Sequence, residues 1–238
     1  MRKYLIICAM ALAACACNRF RTDVYTFDEL LVSRPDSLSS LSMSISVEYP
    51  VKGLPTEVLD SMGVTIMTAA FDLDKPSGTV EEAAARYISY VKEAYLDEEP
   101  EKNPYSVEDE VNGYFSGAYG KYRTYMIEYY TYTGGAHGLN TYTPLVFDCE
   151  SGRLVREEDF FVEGYSEGVS QLLQKQMTER PEEDQVELFD LFSVAVNGAY
   201  EPGKDGVTWY FQPYEIAPYA YGVITVTVPW SELQPWLR

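Results

Sequence analysis

Histidine is the side chain that most readily moves protons near neutral pH. This sequence has one, His137, in the stretch YYTYTGGAHGLNTYTPLVFD over residues 129–148. A Ser-His-Asp site needs that base beside a serine on a sharp turn. No Gly-x-Ser-x-Gly elbow occurs, and Ser116 in YFSGAYG lacks the first glycine. Zinc draws on several His or Cys ligands, so His137 and Cys149 with carboxylates would be an atypical set, and no D-x-D-x-D-G loop marks calcium. No metal and no cofactor are expected. A carboxylate pair for glycosidase chemistry is a spatial property that 37 acids can meet by chance, and nothing singles out a pair. The acid set in an otherwise apolar and aromatic stretch is Glu215, in FQPYEIAPYAYG. Burial there would raise its pKa and suit it to acid catalysis; the favoured alternative is a carboxylate that accepts backbone N–H groups and pins the proline-rich turn. Beside it Tyr214, Tyr219 and Tyr221 cluster with Pro213 and Pro218. Such tyrosines can stack on sugars, anchor a protein interface or serve as sheet residues with one wet end.

These residues depend on the elements around them. In LSMSISVEYP, Leu41, Met43, Ile45 and Val47 alternate with serines and Glu48, the period of a half-buried strand. Beyond Pro50, Gly53 and Pro55, Leu59 and Met62 suggest a short helix, and GVTIMTAAFD reads as a second strand. TVEEAAARYISYVKEAYLDEE is the clearest helix. Thr79 and Glu82 form a capping box, and Ala84, Tyr87, Ile88, Val91 and Tyr95 recur at helical spacing. Tyr119–Tyr132 and Thr141–Cys149 predict a hairpin whose glycine-rich loop carries His137. GYSEGVSQLLQKQMTER predicts a helix through Val169, Leu172, Leu173 and Met177. A strand over 207–211, the proline-rich turn, a strand with Ile224, Val226 and Val228 on one face, and a helical turn after Pro229 close the chain. Strands this closely spaced leave no room for βαβ crossovers throughout, so the expected class is α+β: two small units, each a mainly antiparallel sheet packed on an amphipathic helix.

The first residues, MRKYLIICAMALAACACN, place Arg2 and Lys3 before an apolar run from Tyr4 to Ala14 that is too short to span a bilayer. Leu12-Ala13-Ala14-Cys15 then has the form of a bacterial lipobox. Residues 1–14 read as a lipoprotein signal peptide, with lipid on Cys15 holding the mature chain to its membrane; an ordinary signal peptide is the alternative. Ala16 is neither an aspartate nor the start of an acidic run, so the expected location for a Gram-negative source is the outer membrane, facing the periplasm. The remaining divisions are a tether over 15–38, an N-terminal unit over 39–100, an acidic linker over 101–113 and a C-terminal domain over 114–238. Cys8 leaves with the signal and Cys17 lies beside the anchor, so no obligatory disulfide is expected and a hydrophobic core must stabilise the fold.

The formal charge of −19 repels nucleic acid and anionic polymers and favours encounter with cationic partners. Nucleic-acid binding is excluded; solubility in a crowded compartment is the plainer use of the same charge.

The segments YTGGAHGLNTYT, FDCESGRLVREEDFF, YFQPYEIAPYAYG and VPWSEL, in that order and spacing, resemble an extracytoplasmic domain of unknown function. That domain ends RsiV-type anti-sigma factors and recurs in PdaC-type peptidoglycan deacetylases outside the catalytic module. The resemblance covers roughly residues 114–236, and residues 40–98 resemble more weakly the companion domain that precedes it. It implies binding rather than catalysis, since RsiV-type proteins sense lysozyme by binding it directly. Two departures stand out. This chain shows a lipid-anchor signal where RsiV-type proteins have a sigma-binding segment and a membrane helix, and Gly138 stands where the family usually has proline, which is expected to loosen the loop after His137.

The expected function is therefore a non-catalytic, lipid-anchored envelope module that binds a cationic protein such as lysozyme, or peptidoglycan. An enzyme acting on envelope glycan through a carboxylate pair, or a structural partner in a lipoprotein assembly, are the alternatives. Candidate partner contacts are His137, Tyr214, Glu215, Pro218, Tyr219 and Tyr221, with lipidation at Cys15.

Overall fold

The structure, a computed structural model, describes residues 27–35, 41–96 and 106–238. Cys15 and Cys17 lie outside the described residues.

Two strands, β1 (Phe27–Pro35) and β2 (Leu41–Pro50), form an antiparallel pair. The alternation in β2 is as expected: Leu41, Met43, Ile45 and Val47 are buried, and the intervening serines are more exposed. Two helices follow, α1 (Thr56–Phe71) and α2 (Val80–Leu96). The stretch expected as a second strand, 63–72, is instead the second half of α1 apart from its last residue. Burial at Val58, Met62, Ile66 and Ala70 follows the helical repeat, and the β-branched residues adapt to it. Thr65 Oγ1 and Thr68 Oγ1 donate to Ser61 O (3.1 Å) and Val64 O (2.9 Å) within the helix. The capping box of α2 is present: Thr79 N donates to Glu82 Oε2 at 2.9 Å, and Glu82 N to Thr79 Oγ1 at 3.3 Å. A cap of this kind contributes about 1 kcal/mol.

The chain continues through β3 (Val107–Tyr119), β4 (Tyr122–Tyr132), β5 (Leu139–Asp148) and the short β6 (Arg153–Leu154). The sheet order is β1-β2-β3-β4-β5-β6, antiparallel except for the parallel β2–β3 pair, which α1 and α2 connect. Strand β1 falls in the stretch expected as tether, and the first half of β3 falls in residues 101–113, expected as linker. Pairing of β2 with β3 carries one sheet across that stretch. Helices α1 and α2 cover one face of this sheet, burying Ile45, Ile66, Val111 and Ile127. Each such side chain contributes about 1.5–3 kcal/mol by leaving water.

A second layer begins with α3 (Glu157–Phe160) and α4 (Tyr165–Thr178), followed by β7 (Tyr200–Pro202), β8 (Gly206–Phe211), β9 (Ile224–Pro229) and α5 (Trp230–Leu233). Strands β7-β8-β9 form an antiparallel sheet. Its core joins Val169, Leu173 and Met177 of α4 to Trp209, Phe211, Val226 and Val228, and reaches Val146 of β5. Glu157, 4% exposed, accepts from Trp209 Nε1 (2.8 Å) and Gly198 N (2.7 Å). Burial raises its pKa, and these two donors pull it back. The class is α+β with two sheets packed on helices, as expected. Among the described residues, no helix is long and apolar enough to cross a membrane.

Candidate functional site

Strands β4 and β5 are rich in Tyr and Thr, and their hairpin projects the His137 loop. Strand β8 ends at Phe211 and delivers the chain into Gln212-Pro213-Tyr214-Glu215, a turn closed by Glu215 N to Gln212 O at 3.0 Å. The His137 and Tyr219 rings stack, with centroids 3.6 Å apart and planes 14° apart. Tyr219 Oη donates to Gly138 O, and His137 Nδ1 lies 3.2 Å from the same oxygen. Gly138 is buried, and a Cβ there would collide with the Tyr130 ring. The glycine expected to loosen the loop is instead clamped; its use is the space its missing side chain leaves, and its φ is not positive.

Gln212 fixes the turn to the hairpin. Its Oε1 accepts from Tyr142 N (3.0 Å) and its Nε2 donates to Tyr142 O (2.8 Å). Glu215 performs the pinning expected of it: it is exposed, and its carboxylate accepts from Gln212 N (2.7 Å) and Asn197 Nδ2 (2.9 Å). Between them Tyr214 is 57% exposed and sits at φ 69°, a backbone region that a turn with proline in its second place normally reserves for glycine. Its ring centroid lies 5.6 Å from that of Tyr219.

Next to this loop the sheet face away from the helices carries Glu108, Glu110, Asn112 and Tyr114 on alternate positions of β3, with Glu128, Tyr130 and Tyr142 across from them. Tyr114 Oη donates to Glu128 Oε1, the Tyr142 and Tyr210 rings stack at 6.3 Å, and Tyr210 Oη donates to Glu201 Oε2. Ser116 Oγ donates to Glu201 Oε1 at 2.8 Å, tying β3 to β7. Burial first and the neighbouring carboxylates second push the hydroxyls of Tyr114, Tyr142 and Tyr210 above the ordinary tyrosine range. They remain neutral donors at physiological pH. The result is a patterned surface of phenols and carboxylates, and none of the residues that form it is a lysine or arginine.

The structure thus brings together His137, Tyr214, Glu215 and Tyr219. Pro218 starts the short turn Tyr219–Tyr221, with Tyr221 N bonded to Pro218 O at 3.1 Å. Tyr221 instead lines a separate depression with Arg180 and Thr225. Sequence reasoning missed Gln212, Tyr142, Glu128 and Glu201. The alternation Glu108, Glu110, Asn112, Tyr114 was the available signal, and it was hidden by reading the acids as a linker. Among the described residues, no group of three or more His, Cys, Asp or Glu side chains could hold a metal ion.

Residues 158–231 match a protein family of unknown function, DUF3298. The fold is similar to the crystal structure of a DUF3298-family member from Bacteroides fragilis, with a TM-score of 0.79 and 25% identity over 91% of this chain and 95% of that one. It is also similar to a DUF3298-family protein from Pseudomonas aeruginosa, with a TM-score of 0.62 and 15% identity over 91% of this chain and 95% of that one. No curated protein matches the sequence. The resemblance to a domain of unknown function therefore holds: residues 158–231 carry a DUF3298 domain, and the chain has the fold of solved DUF3298 proteins over most of its length.

Proposed function

We propose that this protein is a lipid-anchored binding module of the cell envelope, without catalytic activity of its own, whose partner is a cationic wall-lytic protein of the lysozyme-like muramidase class. The observation that carries this reading is Tyr214, a large exposed aromatic held at positive φ. Strain of that kind persists where surrounding contacts over-determine it, and it concentrates at binding sites. Rigid tyrosines are suited to anchor an interface. The adjoining Glu108, Glu110, Glu128 and Glu201, in a chain of net charge −19, suit a cationic surface and speed encounter with it. The resemblance to lysozyme-sensing proteins supports the same partner. Lipid on Cys15 would keep the module at its membrane, and the absence of an acidic residue at position 16 favours the outer membrane, with the site in the periplasm.

Immobilised lysozyme should retain the protein at about 50 mM salt and release much of it at about 300 mM, where the Debye length is shorter. Tyr214→Ala and Tyr219→Ala should each weaken retention about tenfold, as expected of anchor residues. Absence of retention at low salt sinks the muramidase reading. Co-sedimentation with peptidoglycan sacculi, without lysozyme binding, would reassign the partner to the glycan. Turnover of peptidoglycan that Glu215→Gln abolishes at unchanged melting temperature would overturn the non-catalytic reading.

A further inference from the structure

On the opposite side of the large sheet, the end of α1, the outer turns of α2, and strands β3 and β4 line a cavity of about 350 Å³ that is open to solvent. Its lining includes Tyr87, Tyr90, Tyr95 and Tyr129, with the carboxylates of Asp72 and Asp109. Asp109 is 5% exposed. It lies on an inward position of β3, flanked by the outward Glu108 and Glu110. Among the described residues, one hydroxyl serves both of its oxygens: Tyr87 Oη lies 2.9 Å from Oδ1 and 3.2 Å from Oδ2. One proton for a carboxylate with about four acceptor sites leaves most of its capacity open to the cavity. The Tyr129 hydroxyl is already committed, donating to Ala69 O (3.0 Å) and Ala70 O at the end of α1. That arrangement leaves the Tyr129 ring, rather than its hydroxyl, as its contribution to the cavity. The last carbonyls of α1 are the negative end of its dipole, and Asp72 adds a carboxylate there. No described lining residue is a lysine or arginine.

A buried carboxylate left short of donors, negative backbone ends and four phenol rings specify a positive charge on an apolar stem. An ammonium group supplies N–H donors to a carboxylate, and ring faces attract the cation and its adjoining methylenes. We propose that this cavity binds a small organic cation of the primary alkylammonium class, with its ammonium group against Asp109 and its chain among the tyrosine rings. The site lies on the helix-covered side of the sheet, away from the His137–Tyr219 surface, and does not depend on the partner proposed for that surface. Burial, which pushes the Asp109 carboxyl above its ordinary range, is the cost that a bound cation would relieve.

Calorimetric titration of the full-length protein in non-ionic detergent with n-butylammonium chloride, and with n-butanol as the neutral counterpart, tests this. The ammonium is expected to bind saturably, with n-butanol at least about tenfold weaker, a difference of one decade in Kd. Asp109→Asn keeps the shape and the Tyr87 hydrogen bond but removes the charge, and should weaken n-butylammonium about tenfold or more. Tyr90 is 64% exposed, so Tyr90→Ala leaves the fold intact and should weaken binding several-fold through the lost ring. Equal binding of n-butanol, unchanged affinity in Tyr90→Ala together with a folded Asp109→Asn, or no saturable heat up to about 20 mM ammonium, well above the millimolar range of weak ligands, would overturn the proposal.

Discussion

His137 and Tyr219, 82 residues apart, stack face to face at 3.6 Å, and the Tyr219 hydroxyl closes the contact by donating to the carbonyl of the residue after the histidine. The imidazole thus packs and orients a loop. A stacked pair of this kind is worth about 0.5–1.5 kcal/mol beyond its burial. His137→Ala should leave the protein folded and lower its Tm by about 2–4 °C, the shift that 1 kcal/mol gives in a chain of this size. Tyr219→Ala should cost more, because it also removes the hydroxyl that donates to the Gly138 carbonyl. A double-mutant cycle read by thermal melts should return a positive coupling; strict additivity would mean that the rings do not support each other.

Tyr214 is held at a positive φ. An L-residue there is disfavoured by roughly 1–2 kcal/mol relative to glycine. Tyr214→Gly is therefore expected to raise Tm, against the usual direction of a large-to-small change, while weakening retention on lysozyme about as much as Tyr214→Ala does. A fall in Tm would show that the ring's packing against Tyr219 outweighs the backbone strain.

Gln212 makes two hydrogen bonds to the backbone of Tyr142. Gln212→Ala leaves that N–H and C=O without these partners at a cost of about 1–3 kcal/mol. Thermal melts should register a loss of several degrees, and the Tyr214 turn should become accessible to protease while the rest of the chain resists.

Glu215→Gln replaces an oxygen that accepts an N–H with a donor. Hydrogen bonds to a charged acceptor are worth about 1.5–3 kcal/mol, so a measurable fall in Tm is expected. An unchanged melt would contradict the pinning role.

Asp109 supplies a pH signature. Burial raises its pKa above the ordinary 3.8, with the Tyr87 hydrogen bond acting in the opposite direction. A carboxyl with a raised folded-state pKa contributes stability that is complete below its unfolded value and is lost as pH rises through the folded value. Stability of the ligand-free protein should therefore fall from about pH 4 upward on this account, and Asp109→Asn should lack that component. The difference between variant and wild-type melting temperatures should grow as pH rises from about 4 until the folded-state carboxyl is fully ionised. A constant difference would place the carboxyl in a less costly environment.

Local signals were legible wherever burial and period agreed. Strand β2, the capping box at Thr79 and Glu82, and the alternation of Ile224, Val226 and Val228 could all be read directly. The second half of helix α1 could not, although Leu59 and Met62 had pointed to a helix in its first half, because Val64, Thr65 and Ile66 favour strands locally, and packing of Met62, Ile66 and Ala70 on the sheet decides for the helix. Strand β3 was masked by its own charge. Glu108 and Glu110 face outward as a sheet allows, while Asp109 faces inward, and a sequence shows no difference between the two orientations. The site was partly legible. The family resemblance supplied the two segments that meet, and the pinning role of Glu215 was anticipated. The contact between His137 and Tyr219, and the part played by Gln212, arise from tertiary placement that no local pattern encodes.

Gln212 has one further consequence. Strand β5 pairs with β4 along its length, but its outer side is met by β6 only at Phe147 and Asp148. At Tyr142 the amide of Gln212 therefore behaves as a single borrowed rung, occupying a donor and an acceptor that would otherwise invite another strand. Its removal uncovers the outward N–H and C=O of Tyr142 on that edge. Such a variant would be more prone to recruit a second copy by edge-to-edge pairing, so the same side-chain amide that holds a turn also covers an edge position open to self-association.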